Sequence, residues 1–80
     1  MNEAAGQIYR HYKGNVYVIV GTGHHTENGQ HLVYYKRLDG SEGEHIWARP
    51  HEMFVGDVLH EDGSGRKVKR FTLLNNHQKG

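Results

Sequence analysis

The chain of 80 residues lacks cysteine and contains a single proline and a single tryptophan. Without cysteine it can form neither disulfide bonds nor thiolate metal sites, and it has no cysteine nucleophile. No apolar run approaches the roughly 20 residues of a membrane-spanning helix. The first seven residues also lack the basic and apolar regions of a secretory signal. We therefore expect a cytoplasmic domain that makes no contact with a membrane.

The net charge is also low, at a formal value of +1 at pH 7. Such a balance gives no global attraction to nucleic acid or to an anionic membrane. Histidine is abundant instead, and protonation of all eight would raise the formal charge from +1 to +9. This change falls near neutral pH. Two interpretations follow: scattered surface histidines, or a pH-sensitive binding face.

No segment shows a sustained helical period. Apolar and β-branched residues form short runs between turns that are rich in the 11 glycines, a pattern typical of a small all-β domain. The predicted strands cover residues 8–12, 15–20, 32–38, 45–49, 55–61 and 66–74, the last two as one hairpin. The second strand is apolar on both faces, which favours a central position in the sheet. Gly21 and Gly23 predict a bulge or bend at its end.

Pro50 predicts a change of direction, because proline cannot donate a hydrogen bond to a strand neighbour. The predicted fold is therefore all-β: a small antiparallel barrel or curled sheet of five to six strands, SH3-like, with one short helical or 3₁₀ turn near residues 50–54. Met53 and Phe54 would plug one open end of a barrel. The predicted organisation is a flexible N-terminus at 1–7, a single β domain at 8–74 and a flexible polar tail at 75–80.

The most specific motif is Trp-x-Arg-Pro-x-Glu-Met-Phe, which begins at Trp47 and ends at Phe54. It stands with Tyr-Arg-His-Tyr-Lys-Gly at 9–14, His-Thr-Glu at 25–27, Leu-Val-Tyr-Tyr at 32–35 and Arg-Phe at 70–71. In this order the segments resemble a small bacterial family, domain of unknown function 1653. The family usually has a shorter last hairpin, and valine where Tyr34 and Ala48 stand. The resemblance implies a small cytoplasmic bacterial β domain and implies no activity or cofactor.

Enzymatic and metal-binding motifs are missing from the sequence. The serines, Ser41 and Ser64, lie in glycine-rich loops outside any nucleophile elbow, and no carboxylates are paired for acid–base catalysis. The segment 21–23 lacks the following helix that a phosphate-binding glycine loop requires. His24 and His25 are adjacent and would point to opposite faces of a strand. We therefore expect no catalytic residue, no metal site and no cofactor.

The remaining hypothesis is a non-enzymatic binding module. Its predicted surface centres on Trp47, Arg49, His51 and Glu52, with Tyr9, His11, His25 and Tyr34 as neighbours. Arg49 and Glu52 could meet across Pro50, either as a local ion pair or as a charged anchor. The main hypothesis is a protein- or peptide-interaction module, and the alternative is a weak RNA or single-stranded DNA binder that uses aromatic and basic residues. We expect a monomer or a weak homodimer.

Overall fold

The computed structural model describes residues 3–75, with the side chain of Asn75 excepted. The elements are β1 (Ile8–His11), β2 (Val16–His24), β3 (His31–Arg37), β4 (Trp47–Pro50), α1 (His51–Phe54), β5 (Asp57–Leu59), β6 (Lys67–Lys69) and β7 (Phe71–Asn75). Five strands form an antiparallel sheet in the order β4-β3-β2-β1-β7, and β5 pairs with β6. Over residues 3–75, no helix has the length and apolar character needed to cross a membrane.

The middle of the large sheet follows the sequence prediction. β2 occupies the central position, and its pairing with β3 shifts register between Ile19 and Gly21, where the glycines predict a bulge. Gly23 allows Tyr34 to lie across the strand, since a Cβ atom at position 23 would sit 3.3 Å from the Tyr34 ring. The turn between β1 and β2 uses Gly14 at φ 111°, a conformation that favours glycine.

The large sheet curls without closing into a barrel. In a flat sheet, β4 and β7 would lie about 19 Å apart at the usual strand spacing. The guanidinium of Arg49 on β4 nevertheless lies 6.0 Å from the ring centre of Phe71 on β7. Over residues 3–75, β4 and β7 share no strand pairing. The closed-barrel prediction is therefore wrong, the curled-sheet alternative agrees with the geometry, and the SH3-like likeness stays a prediction.

The last third of the chain differs from the predicted hairpin. The segment predicted as one strand, 66–74, divides at Arg70 into β6, which pairs with β5, and β7, which pairs with β1. The backbone of Arg70 forms hydrogen bonds in two directions. Its N–H donates to the Gly56 carbonyl before β5, and its carbonyl accepts from the N–H of Tyr12 after β1. Val68 is half-buried and Phe71 is buried. The two residues are three positions apart, and a continuous strand would point them to opposite faces.

The core lies between the concave face of the large sheet and α1. Its buried apolar side chains are Tyr9, Ile19, Val33, Tyr35, Phe54 and Phe71. The predicted helical turn after Pro50 is confirmed as α1, which places Phe54 in a stack with Phe71 at 4.1 Å between ring centres. Met53 is 44% exposed and does not contribute to the predicted plug.

The N-terminal residues contact the sheet. The N–H of Gly6 donates to the carbonyl of Ile19, and the N–H of Ile19 donates to the carbonyl of Gln7. The side chain of Glu3 is buried beside α1. The domain boundaries given by the sequence, including a flexible segment at 1–7, stay a prediction. The polar tail predicted at 75–80 lies outside the described residues, apart from the backbone of Asn75.

Candidate functional site

An aromatic cluster of Tyr17, Tyr35 and Phe71 lines one part of the concave face. The rings of Tyr17 and Tyr35 meet edge to face at 5.2 Å, and those of Tyr35 and Phe71 meet at 5.3 Å. These contacts join β2, β3 and β7, and the curl of the sheet makes them possible. Edge-to-face packing is a favoured aromatic geometry and leaves ring faces open to other groups.

Arg49 reaches this cluster from β4. Its Nε–H donates a hydrogen bond to Tyr35 Oη at 3.1 Å, and its guanidinium lies over the ring of Phe71. A cation over an aromatic face is attracted by the electron-rich ring. Because Nε holds the side chain in place, the two terminal amino groups of the guanidinium are available to another partner.

Arg70 is held in the same manner from the opposite side. Its Nε–H donates to the backbone carbonyl of Met53 at 3.0 Å. In the part of the chain that the structure describes, neither Arg49 nor Arg70 forms an ion pair with a carboxylate. Arg37 provides the contrast, since its guanidinium lies 3.1 Å from Asp39 and 3.8 Å from Glu42.

His11 completes the group, with its ring 5.0 Å from that of Phe71. Burial lowers the pKa of His11, and the positive charges of Arg49, Arg70 and Lys13 lower it further, while Glu61 opposes them. Its Nδ1 accepts the N–H of Lys13 at 3.1 Å, which requires that nitrogen to be unprotonated. We call the group of His11, Arg49 and Arg70 the arginine site. It is positively charged even with His11 neutral.

Trp47 lies on the concave side of the edge strand β4, directly opposite Tyr35 in the register. Its ring is 43% exposed. The indole N–H donates to Glu42 Oε1 at 2.9 Å, and the ring contacts that of His45. An exposed aromatic ring with a fixed orientation is typical of the anchor residues of binding surfaces.

The other predicted site residues lie elsewhere. Tyr9 is buried in the core, and Tyr34 lies on the face opposite to Tyr35. His25 is exposed in the loop between β2 and β3, where its Nδ1 accepts the N–H of Glu27. Glu52 is exposed on α1. The structure thus groups Trp47, Arg49 and His11, and it gives Arg49 a bond to Tyr35 rather than to Glu52.

Sequence reasoning did not include Arg70, Tyr17 and Phe71 among the site residues. Arg70 belongs to the predicted strand 66–74, and it lies 21 positions from Arg49 in the sequence. The only signal for it was its place in the family pattern, where Arg70 and Phe71 close the matching segments. The approach of Arg49 on β4 to Phe71, which follows Arg70 in the chain, depends on the curl of the sheet.

His51 belongs to a second group on the other side of Phe54. Its Nε2 lies 2.8 Å from Glu3 Oε1, and its ring stacks on His31, which stacks on His24. The centres are 4.6 Å apart for His31 and His51, and 5.1 Å apart for His24 and His31. Stacked rings do not direct their nitrogen atoms to one point, and no group of three potential metal ligands occurs within residues 3–75.

Comparison with known proteins gives a family. The family model described as a protein of unknown function, DUF1653, matches residues 7–73. The crystal structure of a DUF1653 protein from Bordetella bronchiseptica resembles this chain with a TM-score of 0.73 and 25% sequence identity, over 100% of this chain and 95% of that one. No curated protein matches. The family match covers most of the chain, and this protein therefore belongs to the DUF1653 family.

Proposed function

We propose that this protein is a non-enzymatic module that binds a protein or peptide segment at the arginine site. The observation that carries the proposal is that two guanidinium groups are fixed in position and lack a carboxylate partner within the described residues. Arg49 and Arg70 are each held through Nε, and neither has a carboxylate partner among residues 3–75. Their charges act together on His11. Like charges held close together are stabilised when an anion binds between them.

The chemistry of the arginine site selects an acidic segment. A guanidinium donates to a carboxylate through parallel N–H groups, which favours glutamate or aspartate side chains. The exposed ring of Trp47, on the same side of the sheet, offers an apolar contact to a neighbouring residue of the segment. The expected ligand is thus an extended peptide that carries carboxylates beside an apolar or aromatic side chain.

The absence of enzymatic activity is part of the proposal. The Nδ1 atom of His11 is occupied by a backbone N–H, and the hydroxyl of Tyr35 accepts a bond from Arg49. Neither group is arranged with a serine, threonine or carboxylate that it could activate. The polar groups of the arginine site are therefore suited to holding an anion.

Nucleic-acid binding is the second candidate, because phosphate could also bind to arginines beside aromatic rings. The positions of the other cations favour a peptide. Arg66 pairs with Asp62, and Lys67 and Lys69 lie on β6 in the smaller sheet. These charges do not extend the arginine site into the continuous track that a phosphate backbone follows.

A titration monitored by amide NMR tests the proposal. The probes are a short peptide with two glutamates and one phenylalanine, the same peptide with glutamines, and a short mixed-sequence RNA. We expect the acidic peptide to shift the amides near Trp47, Arg49 and Phe71, and the glutamine peptide to bind at least about tenfold more weakly. Tighter binding of RNA, with a steep loss in salt, would support the second candidate.

Matched variants locate the interaction. Arg49→Gln and Arg70→Gln should each weaken binding of the acidic peptide about tenfold, since each removes a charge-assisted hydrogen bond. Arg10→Gln is the control, because Arg10 is exposed on the opposite face of β1. Equal loss in all three variants would indicate attraction by total charge and would contradict a site at Arg49 and Arg70.

A further inference from the structure

A cavity lies beside the stacked rings of Phe54 and Phe71. Its volume is about 380 Å³, and its lining comprises Glu3, Tyr9, His51, Phe54, Val55, Lys69, Phe71 and Leu73. It occupies the gap that remains because the curled sheet does not close at β7. A concave, mostly apolar space of this size with a few polar groups is typical of a small-molecule site.

The carboxylate of Glu3 is the unusual feature of this cavity. Its side chain is only 2% exposed, yet it carries the single acidic group of the lining. One oxygen, Oε1, bonds to Nε2 of His51 at 2.8 Å. A carboxylate has about four acceptor positions, and residues 3–75 provide this one with a single side-chain hydrogen bond. Buried charged groups normally bind several donors, because desolvation is costly.

The cavity has few donors of its own for this carboxylate. Lys69 is exposed and forms no ion pair with Glu3 within the described residues. The hydroxyl of Tyr9 donates toward Gln7 Oε1 at 3.5 Å. Burial raises the pKa of Tyr9, and the negative charge of Glu3 raises it further. The lining thus combines mostly apolar side chains with one buried carboxylate.

We propose that this cavity, which we call the Glu3 cavity, binds a small organic amine with an apolar body. The ammonium group supplies three donors and a positive charge to Glu3, and the apolar body contacts Phe54, Val55 and Leu73. An anionic ligand would meet repulsion from Glu3, and a neutral ligand such as an alcohol would supply one donor at most and no positive charge. This site is separate from the arginine site and has the opposite charge preference.

Three probes that share a phenylethyl group test the charge preference on the unmodified protein. These are 2-phenylethylammonium, 2-phenylethanol and 3-phenylpropionate, each titrated into the folded chain while amide shifts are recorded. We expect saturable shifts at Tyr9, Val55 and Leu73 with the ammonium probe. The alcohol should bind about tenfold more weakly and the carboxylate more weakly still. Equal binding of the three probes, or shifts without saturation, would overturn the proposal.

Substitution of the acid tests its role. Glu3→Gln keeps the shape of the side chain and removes its charge, so the affinity for 2-phenylethylammonium should fall about tenfold, to that of the alcohol. Glu52→Gln is the control, because Glu52 lies on the adjacent helix, is exposed and does not line the cavity. Unchanged affinity in a folded Glu3→Gln variant would also overturn the proposal. If this variant unfolds, the comparison of the three probes on the unmodified protein decides whether the cavity prefers an ammonium group.

Discussion

The arginine site and the Glu3 cavity lie on two sides of the same pair of stacked rings, Phe54 and Phe71. The arginine site is half-exposed, and its two guanidiniums have no carboxylate partner among residues 3–75. The Glu3 cavity is partly open, but its carboxylate is buried and has a histidine partner. Water screens the first group of charges, whereas the second must be stabilised inside the protein. An incompletely paired charge therefore costs little free energy at the arginine site and much more in the Glu3 cavity.

At the arginine site, the lack of a carboxylate partner among the described residues would not by itself indicate a binding site, because exposed arginines are often solvated. The informative feature is that Tyr35 and Met53 hold the two side chains in place. For the Glu3 cavity, burial itself is informative, since a carboxylate at 2% exposure has lost its water. Ligand binding can thus be tested with probes of opposite charge: an anionic probe for the arginine site and a cationic probe for the Glu3 cavity.

The largest effect is expected where the two regions meet. Phe71→Ala should lower the free energy of unfolding by about 3–5 kcal/mol, because it removes a buried ring and leaves a cavity in the core. Both binding sites should be lost with it. Urea denaturation followed by Trp47 fluorescence measures the change. Leu74→Ala is the control, since Leu74 is 47% exposed, and its cost should stay below about 1 kcal/mol. Equal costs for the two variants would contradict the central position of Phe71.

A smaller effect is expected at the buried contact between Glu3 and His51 in the Glu3 cavity. His51→Ala should lower the free energy of unfolding by about 2–4 kcal/mol, because it leaves the Glu3 carboxylate buried without its hydrogen-bond donor. The double variant with Glu3→Gln should recover part of this loss, and a double-mutant cycle measures the coupling. His25→Ala, in an exposed loop, serves as the control. Additive losses would show that the Glu3–His51 contact contributes nothing of its own.

The smallest effect concerns the titration of His11 in the arginine site. The folded state holds the pKa of His11 below the ordinary histidine value of about 6.5. The unfolded state therefore binds the proton more tightly. This contribution to stability is fully present above pH 6.5 and is lost as the pH falls from there through the lowered pKa. His11→Gln should make the stability less dependent on pH in this range, which urea denaturation at several pH values measures.

The same histidine reports on the arginine site. Replacing Arg49 by glutamine removes one of the charges that lower the pKa of His11, so this pKa should rise. Binding of the acidic peptide should raise it for the same electrostatic reason. NMR titration of the His11 ring protons measures both shifts, and Arg10→Gln provides the control. A constant pKa in all cases would show that Arg49 and the peptide do not act on His11.

Much of the local structure could be predicted from the sequence. The both-sided apolar pattern of 16–20 predicted the central strand, Gly21 predicted the bulge, and Pro50 predicted the short helix that follows it. These predictions succeeded because each depends on neighbours within a few residues. The division at Arg70 was not predicted. Alternation along 66–74 favours one strand, and only contacts with Gly56 and Tyr12 assign its two halves to different sheets.

Sequence alone determined the strand-rich class, the turn after Pro50 and the family pattern that begins at Trp47, because short-range backbone preferences specify them. Tertiary structure decided the curl of the sheet, the approach of Arg49 to Phe71 and the burial of Glu3. Side chains far apart in the chain gain a common environment only when packing excludes water between them. Whether a charge is screened by water, held beside a ring or enclosed depends on that packing, which local sequence does not encode.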